Sequence, residues 1–375
     1  RFIPHGSTKV IDEEGNIYQS LTSLSKILGV NRKKISSHIR KDGYFYHKDK
    51  KYYFYSDKVN EEPSVDIIID KSEIEDYNNF KKLKSIKMLP FETYDFTYNV
   101  TEKGRRYAIA LFSDAHIEET VKPETVLGLN EYNLQIAEKR IQTYFENLAH
   151  CLNADEVDDL IFAVLGDIIS GYIHEELAQC NSLTPIEATL KAQSLIFCGL
   201  QFLCNNTKLK SIKFIGIVGN HSRTTKKIQH SNGYVLSYEW LMYKNIEAQC
   251  KFANLPIEFC LPESELAVIN TFDNKRFIFC HGYQIKSSGS NTVCGIYPAL
   301  NRLSLKWAKT FNQDKIYLGH FHQCVSINNA VVNGSIIGYN AYSLSNGFSF
   351  ENPAQIYEVY DSNIGLLLTR KIYCQ

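Results

Sequence analysis

The sequence predicts an α/β protein with a small helix-turn-helix domain ahead of it, and three observations carry that reading. From about residue 106 onward, apolar strand-like runs alternate with amphipathic helical segments, the pattern of an α/β body. Five of those runs end directly in a short polar motif. The first sixty residues hold a separate helix, glycine, helix pattern with its own charge balance. The predicted organisation is residues 1–60 as one module, 61–105 as a connector and 106–375 as the α/β body.

In the first module, KVIDEEGNIYQ reads as a short hairpin that turns at Glu14-Gly15-Asn16. LTSLSKILGV spaces Leu21, Leu24, Ile27 and Leu28 three and four apart, as one face of a helix. Gly29 ends that helix, and Asn31 can cap a second one, NRKKISSHIRK, which stops before Gly43. Two short helices about a glycine-containing turn make the helix-turn-helix pattern. The second helix sets Arg32, Lys33, Lys34, Ser36, Ser37, His38, Arg40 and Lys41 around Ile35 and Ile39. YFYHKDKKYYFY follows as a strand pair. The connector is acidic in EEPSVDIIIDKSEIEDYNNF and basic in KKLKSIKM.

In the body, NEYNLQIAEKRIQTYFENLAHCL reads as a long amphipathic helix. Thr184-Pro185-Ile186-Glu187 opens another, running to about Cys204, with Thr as cap, Pro at the first helical position and Glu three residues past the cap. SIKFIGIV, KRFIFC, KIYL, AVVNGSI, QIYEVY and GLLLTRKIY supply further strands. No helical pattern separates the closing ones, so they are expected to pair antiparallel in a second sheet.

The polar motifs are Ser113-Asp114-Ala115-His116, Gly166-Asp167, Gly219-Asn220-His221, His281-Gly282 and Gly319-His320-Phe321-His322. The runs before them are AIALF, LIFAVL, FIGIV, FIFC and IYL. Open α/β sheets place ligand sites beyond the carboxyl ends of their strands, so these side chains can be aimed into one crevice. Carboxylate and imidazole are ligands that first-row divalent metals take up. Seven candidates are more than one ion needs and point to two ions sharing a carboxylate.

In order, residue type and strand context the five motifs resemble the calcineurin-like metallophosphoesterase family, whose pattern runs D-x-H, G-D, G-N-H, H and G-H-x-H. The resemblance spans roughly residues 107–340. It implies a four-layer sandwich of two mixed β-sheets flanked by helices. It implies one metal on Asp114, His116, Asp167 and His322, and a second on Asp167, Asn220, His281 and His320. Mn²⁺ is the expected ion, with Fe, Zn or Mg as the others. The implied chemistry is in-line attack on phosphorus by a metal-bridging hydroxide. His221 is implied as the catalytic group that protonates the leaving oxygen or steadies the pentacovalent state. Its neighbour is Ser222, where nuclease members often carry an acid, so its orienting partner is open. Alternation makes the paired residues of Asp114-x-His116 and His320-x-His322 point the same way if the backbone stays extended.

Substrate contacts are read more locally. His174, in SGYIHEEL, either reaches substrate from a loop or is a surface residue. Arg223, with Lys226 and Lys227, either clamps a phosphate or is a solvated charge run. Asn333-Gly334-Ser335 is a candidate for the pocket rim, and Cys280 is expected in the core. The first module resembles the small modular DNA-binding repeats found beside homing endonucleases. Arg32, Lys33, Lys34, Ser37, Arg40 and Lys41 are its candidate DNA contacts, and some of its tyrosines could stack on bases.

Hydrophobic content of 44% and charged content of 22% are those of a soluble globular protein. No apolar run approaches the roughly 20 residues that span a bilayer, and RFIPHGSTK has no apolar secretory core. The ten Cys are scattered without a C-x-x-C pair, so reduced thiols and a cytoplasmic location are expected. The formal net charge of zero divides unevenly. The first sixty residues hold twelve Lys/Arg against six Asp/Glu, and the remainder is acidic by the same margin. A basic arm on an acidic body fits a polyanion partner or a solvated surface.

The reading is a dinuclear-metal phosphodiesterase, a DNA nuclease with DNA as partner, and the body most resembles phage and bacterial DNA-repair exonucleases of the double-strand-break type. Those enzymes carry a capping domain and an ATPase-binding segment after G-H-x-H. Here 53 residues follow His322, so an ATPase partner is not expected. No membrane association is expected, and a second copy of the chain is a candidate partner. A nucleotide or small-molecule phosphodiesterase or phosphatase is the first alternative. A DNA-binding regulator on an inactive phosphoesterase body is the second.

Overall fold

The computed structural model describes residues 9–54, 102–285 and 296–375. His5 and most of the expected connector, residues 61–101, lie outside the described residues. The chain divides into two compact units, residues 1–97 and 98–375.

The first unit starts with the hairpin β1 (Val10–Asp12) and β2 (Ile17–Tyr18). Helix α1 (Leu21–Leu28) is capped by the Ser20 side chain and ends at Gly29 in the left-handed region. Helix α2 (Arg32–Asp42) is capped by Asn31 and ends the same way at Gly43. Strands β3 (Phe45–His47) and β4 (Lys50–Phe54) follow, turning at Lys48-Asp49, both at positive φ. Because β1 also pairs with β4, both hairpins join one sheet in the order β2-β1-β4-β3. Leu24, Ile35, Ile39, Val10, Phe45 and Tyr52 form the core between helices and sheet. Ile27 does not join them and is 66% exposed, correcting its expected place on the buried face. At 100° per residue it falls on the far side of Leu24 from Leu21 and Leu28.

The second unit is built from β5 (Arg106–Phe112), α3 (Leu134–Ala154), β6 (Asp159–Val164), α4 (Glu175–Cys180), α5 (Pro185–Asn206) and β7 (Ser211–Gly216). Then come α6 (Tyr238–Phe252), β8 (Ile257–Cys260), β9 (Leu266–Asn270), β10 (Arg276–Cys280) and α7 (Tyr297–Phe311). It closes with β11 (Lys315–Leu318), β12 (Val325–Ile327), β13 (Ala330–Val332), α8 (Ala341–Ser345), β14 (Ala354–Asp361) and β15 (Gly365–Tyr373). The six-stranded sheet runs β15-β14-β5-β6-β7-β8 and the five-stranded sheet β12-β13-β11-β10-β9, both mixed.

Both faces of the central strands are buried, which is why they read as continuous apolar runs. Ala108, Ala110 and Phe112 of β5 pack under the helices, while Tyr107, Ile109 and Leu111 meet Phe277, Phe279 and Tyr317 of the second sheet. Ile278, Cys280, Ile316 and Leu318 pack on the far side with Leu300 of α7. Two expectations are corrected. The closing hairpin β14–β15 belongs to the first sheet, through β14 against β5, and only AVV of AVVNGSI enters the second. The long helix starts at Leu134, because Tyr132 pairs with Val121 in a short bridge and Asn133 takes the cap.

Candidate metal centre

Phe112, Val164 and Gly216 end three neighbouring parallel strands in register, so the loops carrying Asp114, Asp167 and Asn220 leave the sheet side by side. Cys280 and Leu318 are likewise in register in the second sheet, which delivers His281 and His320. The His320 amide donates to both Asp114 oxygens at 3.1 Å, joining the two sheet ends. The backbone here does not stay extended. Asp114, His116, Asp167, His320 and His322 all sit at φ between 46° and 73°. The paired ligands converge by left-handed turns, not by strand alternation. Each such residue costs on the order of 1–3 kcal/mol, which the surrounding fold must hold. Gly219 and Gly319 pack so tightly on Asp167 and Asp114 that a Cβ at either would collide with the carboxylate.

The ligand atoms of Asp114, His116 and His322 lie within 4.8 Å of one another, as do those of Asp167, His281 and His320. Asn220 Oδ1 is 3.1 Å and Asp167 Oδ2 2.8 Å from His281 Nε2. All seven expected ligands therefore gather at one place. A third group, His116, Asp167 and His221, meets the same limit, so His221 stands close to both sets. The donors fit divalent cations in kind, being imidazole, carboxylate and amide oxygen. His322 Nδ1 is buried without a hydrogen-bond partner, a group that asks for something outside the chain.

Charge favours the same fit. Burial would push the Asp167 carboxyl up, but the His281 and His221 charges outweigh it and hold it well below the usual range. Burial pulls His116 well down, helped by the charge of His221, and takes His320 down to about 4, helped by His281. Both imidazoles are thus neutral near pH 7, the form that binds metal. Burial also acts to lower His281, but the adjoining Asp167 carboxylate raises it to about 9.

The rings are oriented from behind. Leu165 O accepts from His281 Nδ1 at 2.6 Å, and Ser170 O faces His221 Nδ1 at 3.0 Å. A carbonyl only accepts, so Nδ1 carries the proton and Nε2 is turned to the site. Ser170 Oγ donates to Glu119 at 3.2 Å and faces His116 Nδ1 at 3.0 Å. Ser170 thus orients two imidazoles, and its own amide is fixed on Glu118 at 2.8 Å. Glu239, from α6, accepts from the Ile168 amide at 2.6 Å, the Gly219 amide at 2.7 Å and the Ser222 hydroxyl at 3.0 Å. Glu239 thus braces the loop that carries His221, while the His221 ring itself is oriented by the Ser170 carbonyl. Ser170, Glu118, Glu119 and Glu239 were not anticipated, and no local spacing marks them.

Other expected residues are placed less simply. His174 is exposed at the start of α4, its ring 6.1 Å from that of His221. Arg223 turns back on its own loop, donating to Asn220 O, to Thr225 O at 3.1 Å and to Lys226 O at 3.5 Å. Three of its five N–H groups are thus engaged on its own loop, leaving one on each terminal nitrogen for a phosphate. Lys226 and Lys227 are exposed. Asn333 and Ser335 are not rim residues but are buried, Asn333 bridging Ser113 at 2.8 Å and Gln355 at 2.6 Å. In the separate first unit, Arg32, Lys33, Lys34, Ser37, Arg40 and Lys41 are all exposed on α2. Ser37 and His38 both bond the Lys34 carbonyl.

No family model and no curated protein matches the chain. Among solved structures it is similar to a 5'-nucleotidase from Candida albicans, with 10% identity, 74% of this chain and 53% of that one covered, and a TM-score of 0.34. It is also similar to the sulfate thiohydrolase SoxB of Thermus thermophilus, with 9% identity, coverage of 73% and 57%, and a TM-score of 0.29. A Vps29 variant from Entamoeba histolytica gives 11%, 70% and 97%, and 0.27. Likeness at this level carries no weight for activity. Among the described residues, no helix is long and apolar enough to cross a membrane. What the chain offers is its own centre: two buried candidate ligand sets, linked by the nearness of Asp167 to His116.

Proposed function

We propose that the second unit is a two-metal phosphoester hydrolase of the calcineurin-like metallophosphoesterase kind, acting on phosphodiesters and on DNA in particular. The carrying observation is the gathering of four imidazoles, two carboxylates and one amide at one place, with Asp167 within reach of His116 on one side and of His281 and His320 on the other. Asp114, His116, Asp167 and His322 would hold one ion, and Asp167, Asn220, His281 and His320 the other. Two such ions would supply acidification of a bound water and offset charge building on a phosphoryl group. His221 keeps its Nδ1 proton on Ser170 O and gives a proton from Nε2 to the leaving oxygen. Its backbone amide is anchored on Asp167 Oδ1 at 2.8 Å, which fixes the ring beside the ligands.

DNA as substrate rests on α2, where six exposed basic and hydroxyl side chains stand on one short helix. Contacts to phosphates would tether the hydrolase and weaken steeply with salt. The test sets the purified chain with Mn²⁺ against linear, circular and single-stranded DNA, beside a chromogenic bis-phosphodiester. Hydrolysis of both DNA and the small diester, abolished by chelation, is expected. Removing residues 1–60 should weaken DNA turnover at low substrate and spare the small diester. Turnover of the small diester alone would favour the nucleotide or small-phosphodiester reading. Hydrolysis that survives complete metal removal would overturn both.

A further inference from the structure

The four-stranded sheet of the first unit has helices on one face, and its other face has an unusual composition. Pairing places the residues: Ile17 opposite Ile11, Ile11 opposite Tyr53, and Tyr46 opposite Lys51. Their neighbours Val10, Phe45 and Tyr52 face the helices and are buried, so this set faces the other way. Tyr44 extends the row beside Tyr53, ring centroids 6.2 Å apart, and Lys51 Nζ lies 4.9 Å over the Tyr44 ring. Tyr46 is 55%, Ile17 43% and Tyr44 37% exposed. An antiparallel sheet with one solvated face normally turns polar side chains outward. This one turns out three tyrosines, two isoleucines and a lysine.

We propose that this face is a stacking platform for single-stranded nucleic acid. Phenol rings stack on bases whatever their sequence, but only when the bases are not stacked in a duplex. Lys51 beside the Tyr44 ring and the exposed Lys48 at the β3–β4 turn supply cations for the strand's phosphates. The excess of basic residues in the first sixty gives the same polarity to the module as a whole. The aromatic face is distinct from α2, which lies across the sheet from it, so single-stranded and duplex contacts use different surfaces. The inference stands whether or not the second unit hydrolyses phosphoesters.

The experiment measures anisotropy of a short labelled oligothymidylate and of a labelled duplex, with the full chain and EDTA present. Tyr46→Ala and Tyr44→Ala should each weaken oligothymidylate binding by roughly 5- to 150-fold, the range for loss of one stacked base. Tyr46→Phe should bind normally, and duplex affinity should hold in all three. The salt dependence should keep its slope, because no cation is removed. Arg40→Ala with Lys41→Ala should do the reverse, lowering duplex affinity most. Native circular dichroism of each variant excludes unfolding as the cause. Three results would overturn the proposal: no binding of oligothymidylate by the native chain, full affinity in both alanine variants, or equal losses on single strand and duplex.

Discussion

The space between the two sheets of the second unit is polar at both ends, and the ends differ in kind. At one, Glu358 of β14 meets Lys315 of β11 at 2.9 and 3.1 Å, and also accepts from Tyr317 at 2.7 Å, Tyr360 at 3.0 Å and Thr369 at 2.7 Å. A buried carboxylate there has its countercharge and its donors within the chain, and it staples sheet to sheet. At the other end, two buried carboxylates face a crowd of imidazoles, His322 Nδ1 has no partner, and five ligand residues hold left-handed backbone. A satisfied polar cluster is read as architecture. One that the chain leaves incomplete, at a cost in strain, is read as a place for something from outside.

The comparison breaks most readily at Asp167, the carboxylate proposed to be shared. Asp167→Asn should lose both ions, so that metal analysis after gel filtration falls from two per chain towards none, and hydrolysis disappears. Two ions retained in that variant would remove Asp167 from the centre. His221→Ala should keep both ions and lose roughly 10²–10⁴-fold in turnover, most on substrates with poor leaving groups. A variant that loses an ion instead would make His221 a ligand, as its nearness to His116 and Asp167 allows.

The staple end should respond in stability instead. Glu358→Gln strands the Lys315 ammonium in the core, and about 3–5 kcal/mol of unfolding free energy should go, read from denaturant midpoints. Metal stoichiometry should stay at two below the transition. If occupancy falls while stability holds, the two ends are coupled and the contrast fails. The smallest effect is expected at Ser170→Ala. It removes the hydroxyl behind His116 but keeps the carbonyl behind His221, and metal affinity should drop about 10- to 100-fold. Titration calorimetry should show that loss at one ion only.

Sequence made the ligand set legible because each ligand follows an apolar run, and a strand buried on both faces writes itself as such a run. Capping told where α2 and α5 begin, at Asn31 and Thr184, and glycines told where α1 and α2 end, since such signals act within a few residues. What stayed hidden depends on distance along the chain. The strands β8, β9 and β12 span only three to five residues and are half-exposed, too short for a pattern to stand out. Sheet membership of β14 is decided by β5, far earlier in the chain. Glu239 and Ser170 earn their places through backbone amides and ring nitrogens on other loops, which no periodicity records. The left-handed turns likewise replaced the simpler alternation at both paired motifs.

The pairing of β14 with β5 also sets an order of events during synthesis. β5 is the first strand of its sheet to leave the ribosome, yet one of its two neighbours is among the last. About 240 residues separate Phe112 from Ala354. At roughly 5–20 residues per second that is a wait on the order of ten to fifty seconds. Through it, β5 can pair with β6 but keeps one edge of unpaired backbone groups open to any other strand. His322 emerges late as well, so the ligand set is complete only as that edge is about to close. A nascent chain of this protein is therefore without a finished centre from the emergence of β5 until shortly before that of β14, and exposed to wrong pairing over the same interval.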